Sequence, residues 1–143
     1  MDTQNALIEI HTDGGSRGNP GQAAIGAVAT SDDKVIFTIS EKIGETTNNV
    51  AEYTAVIRSL EILLEKRIIS KKTLFILDSE LIVRQITGIY KVKQPQLQIL
   101  RNKIVSMIGI LREDNILDKL SFMTVPREKN KEADTLVNKA LDS

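Results

Sequence analysis

The spacing of apolar residues changes once along the chain, and this change limits the folds that the chain can adopt. Residues 7–13, LIEIHTD, alternate apolar and polar side chains, and residues 23–31 and 34–43 are rich in β-forming residues, so the chain up to residue 43 is typical of β-strands. From residue 48 onward helical spacing appears, and strand-like and helix-like segments then succeed one another. Three strands followed by strand–helix alternation predict one mixed sheet, antiparallel on one side, parallel on the other and flanked by helices.

The individual elements follow from these patterns. The predicted strands cover 7–13, 23–31, 34–43, 71–78 and 117–126, and the predicted helices cover 48–66, 79–88, 95–112 and 130–141. SDDK at residues 31–34 predicts a hairpin turn, and Asn130 is expected to cap the last helix. With 143 residues and no linker or repeat, the chain is expected to form a single domain, 1–143.

Composition excludes several classes of site and location. The chain has no cysteine, which excludes disulfides, thiolate metal sites and thiol nucleophiles. The amino terminus lacks the features of a secretory signal and no apolar run reaches the ~20 residues of a membrane span, so we expect a cytoplasmic protein without membrane contact. Nineteen basic and nineteen acidic residues cancel, which argues against a nucleic-acid partner unless cations neutralise a local acidic cluster.

Four acidic residues occupy positions from which they could meet. Asp13 and Asp78 each close a predicted strand, and parallel neighbours would bring both to the crevice beyond the carboxyl ends of the strands. Glu52 and Asp134 lie roughly 85–90° from the centres of the apolar stripes of their helices, at the border of the core. Carboxylates without cysteine are the ligand set for hard cations such as Mg²⁺ or Mn²⁺.

Each acid also has an ordinary structural explanation. Glu52 fits a capping box in a helix capped by Asn49, and Asp134 fits the first turn of a helix. Asp13 could form a turn before a glycine, and Asp78 could cap the next helix. These explanations account for the acids one at a time, but not for acids at two strand ends and two helix starts together.

Four segments of the sequence resemble the type 1 ribonuclease H family: TDGGSRGNPG at 12–21, TTNNVAEY at 46–53, LDSELIVRQI at 77–86 and VPREKNKEADTL at 125–136. They occur in the order of the family and cover nearly the whole chain. The resemblance implies an α/β ribonuclease H-like fold, a five-stranded mixed sheet with three antiparallel strands, then two parallel ones, and flanking helices. It also implies Mg²⁺- or Mn²⁺-dependent endonucleolytic cleavage of the RNA strand of RNA–DNA hybrids, which leaves 5′-phosphate and 3′-hydroxyl ends.

The resemblance assigns a role to each acid. Asp13 would bridge two metal ions. Glu52 and Asp78 would help hold the ion that activates water, and Asp134 would help hold the ion at the leaving 3′ oxygen. Arg127 stands where many bacterial members have a histidine, and because arginine cannot act as a base at pH 7, its role would be electrostatic or hydrogen bonding to phosphate. A solvated surface charge is the alternative for Arg127.

The resemblance also implies contacts with the hybrid. The glycine-rich segment 14–21 is expected to be a loop whose backbone can approach a minor groove, where 2′-hydroxyl groups distinguish RNA from DNA. Thr47 would lie near a DNA phosphate, and Glu80 stands where the family often has glutamine. The substrate-binding residues implied are Gly14, Gly15, Ser16, Asn19, Thr47, Asn48, Asn49 and Glu80. Turn and capping chemistry is the alternative for the polar ones.

Three functions remain compatible with the sequence. The first is the hybrid endonuclease, acting as a monomer on RNA–DNA hybrids and, as an open question, on other RNA-containing duplexes. The second is a catalytically silent module that binds hybrids or duplexes, and the third is another metal-dependent nuclease of the same fold, such as a transposase-like or exonuclease domain. The four acids favour catalysis, and GNPG with TNN favours hybrid recognition. His11 shares the strand face of Asp13 and is interpreted as an ordinary strand residue outside the site.

Overall fold

The computed structural model describes residues 3–143, so residues 1 and 2 of the predicted domain lie outside it. The strands are β1 (Thr3–Arg17), β2 (Gly21–Ser31), β3 (Lys34–Thr46), β4 (Ile68–Leu77) and β5 (Leu117–Thr124). The helices are α1 (Asn48–Glu65), α2 (Glu80–Ile86), α3 (Pro95–Glu113) and α4 (Lys131–Asp142), with a short 3₁₀ helix at Arg127–Lys129. Every predicted strand and helix is confirmed, with shifted ends.

The strands form one sheet in the order β3-β2-β1-β4-β5. β1 and β3 pair antiparallel with β2, whereas β4 pairs parallel with β1 and with β5, which confirms the predicted mixed sheet. Asp32 and Asp33 have φ values of 51° and 62°, and this left-handed turn matches the twist of the hairpin strands β2 and β3. No helix within residues 3–143 is long and apolar enough to cross a membrane.

Helices cover the two faces of the sheet unequally. α1 packs on one face against β1 and is backed by α3, while α4 packs on the other face against β2. The larger core lies beneath α1, where fully buried side chains include Ile8, Ile10, Tyr53, Leu60, Leu63, Phe75 and Leu77. Each contributes roughly 1.5–3 kcal/mol through burial, so packing rather than intrinsic helix propensity holds α1 in place.

Two glycines allow the helices to approach the sheet closely. A Cβ atom on Gly14 would lie 2.3 Å from the carbonyl carbon of Ala51 in α1, and one on Gly26 would lie 2.3 Å from the carbonyl oxygen of Ala133 in α4. No side chain can be accommodated at either position without moving a helix. The residues that follow these two alanines in the helices are Glu52 and Asp134.

The predicted loop at 14–21 is largely wrong. β1 continues to Arg17 and stays paired with β2, from Gly14 opposite Ile25 to Arg17 opposite Gln22, so only residues 18–20 form the turn. Gly14 is therefore a strand residue that serves helix packing. The glycine-rich composition suggested a loop because the close approach of α1 could not be seen in the sequence.

Candidate active site

The parallel pairing of β1 and β4 places two of the acids side by side. The last paired residues are His11 and Ile76, and Asp13 and Asp78 each follow two positions later. This confirms the expected juxtaposition at the carboxyl ends of the two strands. Asp13 does not end its strand, however, because it remains paired with Gly26 of β2, which rules out the turn-forming explanation.

The capping explanations for Glu52 and Asp78 are also wrong. Thr47 is the N-cap of α1, and its side chain accepts a hydrogen bond from the Val50 amide at 3.3 Å. Glu52 is then the fifth residue of α1, beyond the first turn. Ser79, rather than Asp78, caps α2 by accepting from the Ile82 amide at 3.3 Å. Neither carboxylate is used to satisfy a helix end.

Three of the four acids form a tight cluster. One carboxylate oxygen from each of Asp13, Glu52 and Asp78 lies within 4.8 Å of the others. Asp13 is 7% exposed and Glu52 is 8% exposed, so both carboxyl groups are largely removed from water. Asp134 lies outside the triplet but lines the same cavity of about 470 Å³, which Arg127 also lines. Asp134 is in the first turn of α4, where the helix dipole also favours an acid.

Burial and mutual repulsion perturb two of these carboxyl groups. The pKa of Asp13 is raised to about 7, mainly by burial and also by the charges of Asp78 and Asp134, while hydrogen bonds from Glu52 and the Gly14 backbone amide limit the rise. Burial, followed by the charges of Asp13 and Asp78, raises the pKa of Glu52 well above its usual value. Without a cation, this pair therefore retains protons at a pH where exposed carboxyl groups are ionised.

The cluster fits a hard divalent cation. Oε2 of Glu52 is buried and has no hydrogen-bond partner within residues 3–143, although a buried acceptor without a partner is costly. The atoms that could bind a metal ion are all carboxylate oxygens, which suit Mg²⁺ or Mn²⁺ and do not suit zinc. A bound cation would give this orphaned oxygen a partner and offset the repulsion that raises both pKa values.

The chain is similar to known proteins in sequence and in fold. A family model described as reverse transcriptase-like matches residues 11–140. The bifunctional protein Rv2228c of Mycobacterium tuberculosis is 37% identical over 138 residues, which are 95% of this chain but only 36% of that protein. RNase H1 from the halophilic archaeon Halobacterium salinarum has a crystal structure that is 35% identical, with a TM-score of 0.85, and the match covers 96% of this chain and 98% of that one.

A further structure carries a nucleic acid. LC11-RNase H1, crystallised in complex with an RNA/DNA hybrid, is 47% identical with a TM-score of 0.81, and the match covers 94% of this chain and 96% of that one. The chain belongs to the type 1 ribonuclease H family. The resemblance stated from its motifs is thereby confirmed, and so is the ribonuclease H fold.

The side chains that the ribonuclease H resemblance assigns to substrate binding form a network beside the acids. Asn48 Oδ1 accepts hydrogen bonds from the backbone amide of Ser16 at 2.9 Å and from Ser16 Oγ at 3.1 Å. The backbone amide of Asn48 donates to Asn19 Oδ1 at 3.0 Å. The network ties the β1–β2 turn to the start of α1. The Nδ2 groups of Asn19 and Asn48 donate no hydrogen bond within the described chain.

The cavity gathers some of these residues and leaves others outside. Its lining includes Gly14, Gly15, Ser16, Asn48 and Asn49. Asn19 and Thr47 do not line it, although both contact the start of α1 as described above. Glu80 also lies outside the lining, and on the surface of α2 it accepts from Arg84 Nε at 2.7 Å.

Two polar residues beside the acids were not expected there. Asn130 occupies the N-cap position of α4 as expected, but its side chain makes no capping hydrogen bond. Instead Nδ2 donates to the Thr12 carbonyl at 2.9 Å and to Asp78 Oδ2 at 3.4 Å, while Oδ1 lies 3.0 Å from His11 Nδ1. His11 is therefore not an ordinary strand residue. Its shared face with Asp13 was the one signal available in the sequence.

The metal-free Asp13→Asn variant should be more stable than the metal-free wild type, by an amount that grows as the pH rises. The pKa of Asp13 is raised from 3.8 to about 7 in the folded state, so its contribution to stability is complete below the unfolded value and is lost as the pH rises through 7. The variant does not lose this stability. At about 1.4 kcal/mol per pKa unit, the free energy of unfolding that the wild type loses is at most about 4 kcal/mol.

Urea unfolding in a chelator measures the difference in free energy of unfolding between variant and wild type. We expect almost no difference at about pH 4 and the largest difference at about pH 8. Asp118→Asn is the control, since Asp118 is exposed and lies near the start of β5, at the opposite end of the sheet. The same difference for Asp13→Asn at both pH values would contradict the account.

Proposed function

We propose that this protein is an endonuclease that cleaves the RNA strand of RNA–DNA hybrids and requires Mg²⁺ or Mn²⁺. The observation that carries the proposal is the cluster of three carboxylates, brought from β1, α1 and the end of β4 to within 4.8 Å of one another in an open cavity. Membership of the ribonuclease H family and the hybrid bound by the similar LC11 enzyme support it. The chain spans only part of the length of Rv2228c, so the proposal concerns this chain.

Four carboxylates would hold the ions. Asp13 belongs to the triplet and also feels the charge of Asp134, so it would contact both ions, one shared with Glu52 and Asp78 and the other with Asp134. When bound, two such ions stabilise the negative charge of the reacting phosphate and lower the pKa of a water molecule, and the products carry 5′-phosphate and 3′-hydroxyl ends. All four acids belong to one copy of the chain, so the proposed site is complete in a monomer.

Arg127 would contact a phosphate of the substrate. It is exposed and lines the acidic cavity, on the 3₁₀ helix Arg127–Lys129. A guanidinium group stays charged and can donate two parallel hydrogen bonds to phosphate oxygens. It cannot take up a proton at neutral pH, so its role in this proposal is to position and neutralise the substrate.

The β1–β2 turn and the start of α1, beside the cavity, would distinguish RNA from DNA. The Nδ2 donors of Asn19 and Asn48 have no partner within the described chain and suit the acceptors and 2′-hydroxyl groups of a minor groove. A Cβ atom on Gly15 would find its nearest neighbours at 3.9 Å, so packing within the protein does not demand glycine there. We attribute Gly15 to the close approach of the substrate backbone, and Gly14 to the approach of α1.

Thr47 and Glu80 would act from outside the cavity. The Thr47 hydroxyl accepts a hydrogen bond from Val50 and can still donate its own hydrogen to a phosphate of the DNA strand. Glu80, paired with Arg84, can only accept while ionised, so its partner in the hybrid would be a donor such as a 2′-hydroxyl or a guanine amino group.

The wild-type protein should cut the RNA strand of a labelled hybrid with Mg²⁺ or Mn²⁺ and should stop when a chelator is added. Asp13→Asn should lower the rate by at least about 100-fold, because the amide cannot bridge two cations whose stabilisation of the transition state is worth several kcal/mol. Asp118→Asn, the exposed acid at the far end of the sheet, should cut at the wild-type rate. Cleavage retained by Asp13→Asn, or hybrid binding without cleavage by the wild type, would contradict the proposal.

Asn49→Ala should weaken substrate binding without weakening the fold. Asn49 lines the cavity, and its side chain makes no hydrogen bond within residues 3–143. We expect KM for the hybrid to rise about threefold to tenfold, the equivalent of one hydrogen bond of about 1 kcal/mol, with an unchanged thermal unfolding midpoint. Asn48→Ala is the matched comparison and should also lower the unfolding midpoint, because Asn48 Oδ1 accepts from the Ser16 amide. An unchanged KM for Asn49→Ala would remove Asn49 from the proposed interface.

A further inference from the structure

Asn130 lies where three acid-bearing elements meet. Its buried side chain, 1% exposed, donates from Nδ2 to the carbonyl of Thr12, the residue before Asp13, and to Asp78 Oδ2. The backbone carbonyl of Asn130 accepts a hydrogen bond from the backbone amide of Asp134 at 3.2 Å, in the first turn of α4. One side chain and its backbone thus connect β1, the end of β4 and the start of α4.

The orientation of the Asn130 amide follows from its partners. The Thr12 carbonyl can only accept a hydrogen bond, so the atom that faces it at 2.9 Å must be the amide nitrogen. Oδ1 is then directed at His11, whose Nδ1 lies 3.0 Å away and must donate. A flipped amide would place Oδ1 against the carbonyl and leave the nitrogen facing a donor.

We propose that His11 is a positioning residue that holds the Asn130 amide, and through it the Asp78 carboxylate and the start of α4, in the arrangement that binds divalent cations. This inference rests on the proposed function for its role in catalysis. Nδ1 carries a hydrogen both in the Nδ1–H tautomer and in the imidazolium ion, so the contact does not depend on the charge of the ring.

Loss of the His11 donor would act on the acids through Asn130. Oδ1 would become a buried acceptor without a partner, and the amide would be free to rotate away from the Thr12 carbonyl and Asp78. Groups that orient the ligands of a metal ion typically change metal affinity or activity by about tenfold to 100-fold when they are removed.

Three substitutions test the inference in the full chain. His11→Phe keeps a ring but removes the hydrogen-bond donor. His11→Asn retains a nitrogen donor, because Nδ2 of asparagine is bonded to Cγ in the same way as Nδ1 of histidine. Glu9→Gln is the control, two residues earlier on the same face of β1. Calorimetric titration with Mn²⁺ should show affinity about tenfold weaker for His11→Phe, and within about threefold of wild type for the other two. In hybrid cleavage, His11→Phe should lower kcat at limiting Mn²⁺, leave KM for the hybrid unchanged and recover in excess Mn²⁺.

Nitrogen-15 NMR gives a second measurement that needs neither metal nor substrate. His11 is the single histidine of the chain, so its ring signals are identified without assignment. At alkaline pH we expect the hydrogen on Nδ1 in the wild type. A hydrogen on Nε2 only, or wild-type Mn²⁺ affinity in His11→Phe, would overturn the inference. If the hydrogen lies on Nδ1 and His11→Phe binds Mn²⁺ more weakly, but the wild type does not cleave a hybrid, the proposed function is overturned and the positioning role of His11 is not.

Discussion

The mutual repulsion of buried carboxylates is the interaction on which the site depends. Asp13, Glu52 and Asp78 offer oxygens within 4.8 Å of one another, and two of the three side chains are almost excluded from water. Removing ionised carboxylates from water costs several kcal/mol each unless opposite charge compensates. The protein has two ways to lower this cost, which are to retain protons, as the raised pKa values of Asp13 and Glu52 indicate, or to bind cations.

The backbone, more than the side chains, brings the acids together. The parallel ladder of β1 and β4 ends at His11 and Ile76, which places Asp13 and Asp78 at the same level of the sheet. Gly14 and Gly26 carry no side chain that would hold α1 and α4 away, so both helices approach closely at the residues just before Glu52 and Asp134. A large apolar core beneath α1 stabilises this arrangement against the repulsion within the cluster.

Much of this arrangement could be predicted from the sequence, because hydrophobic spacing determines the strands and helices, and the position of an acid at a strand end determines its edge of the sheet. The choice of Thr47 over Asn49 as the cap of α1 could not be predicted, since both residues have suitable side chains. The orientation of the Asn130 side chain toward β1 and the end of β4 could not be predicted either, because its partners there are distant in sequence. Such features depend on tertiary contacts, which local propensity does not encode.

The most direct test of the account is anomalous diffraction from crystals of this protein soaked in Mn²⁺. The account predicts an anomalous peak within coordination distance of Asp13, Glu52 and Asp78, and a second peak between Asp13 and Asp134 when a hybrid is bound. Crystals that show Mn²⁺ elsewhere, or no Mn²⁺ among these carboxylates at an alkaline pH where they are ionised, would contradict it.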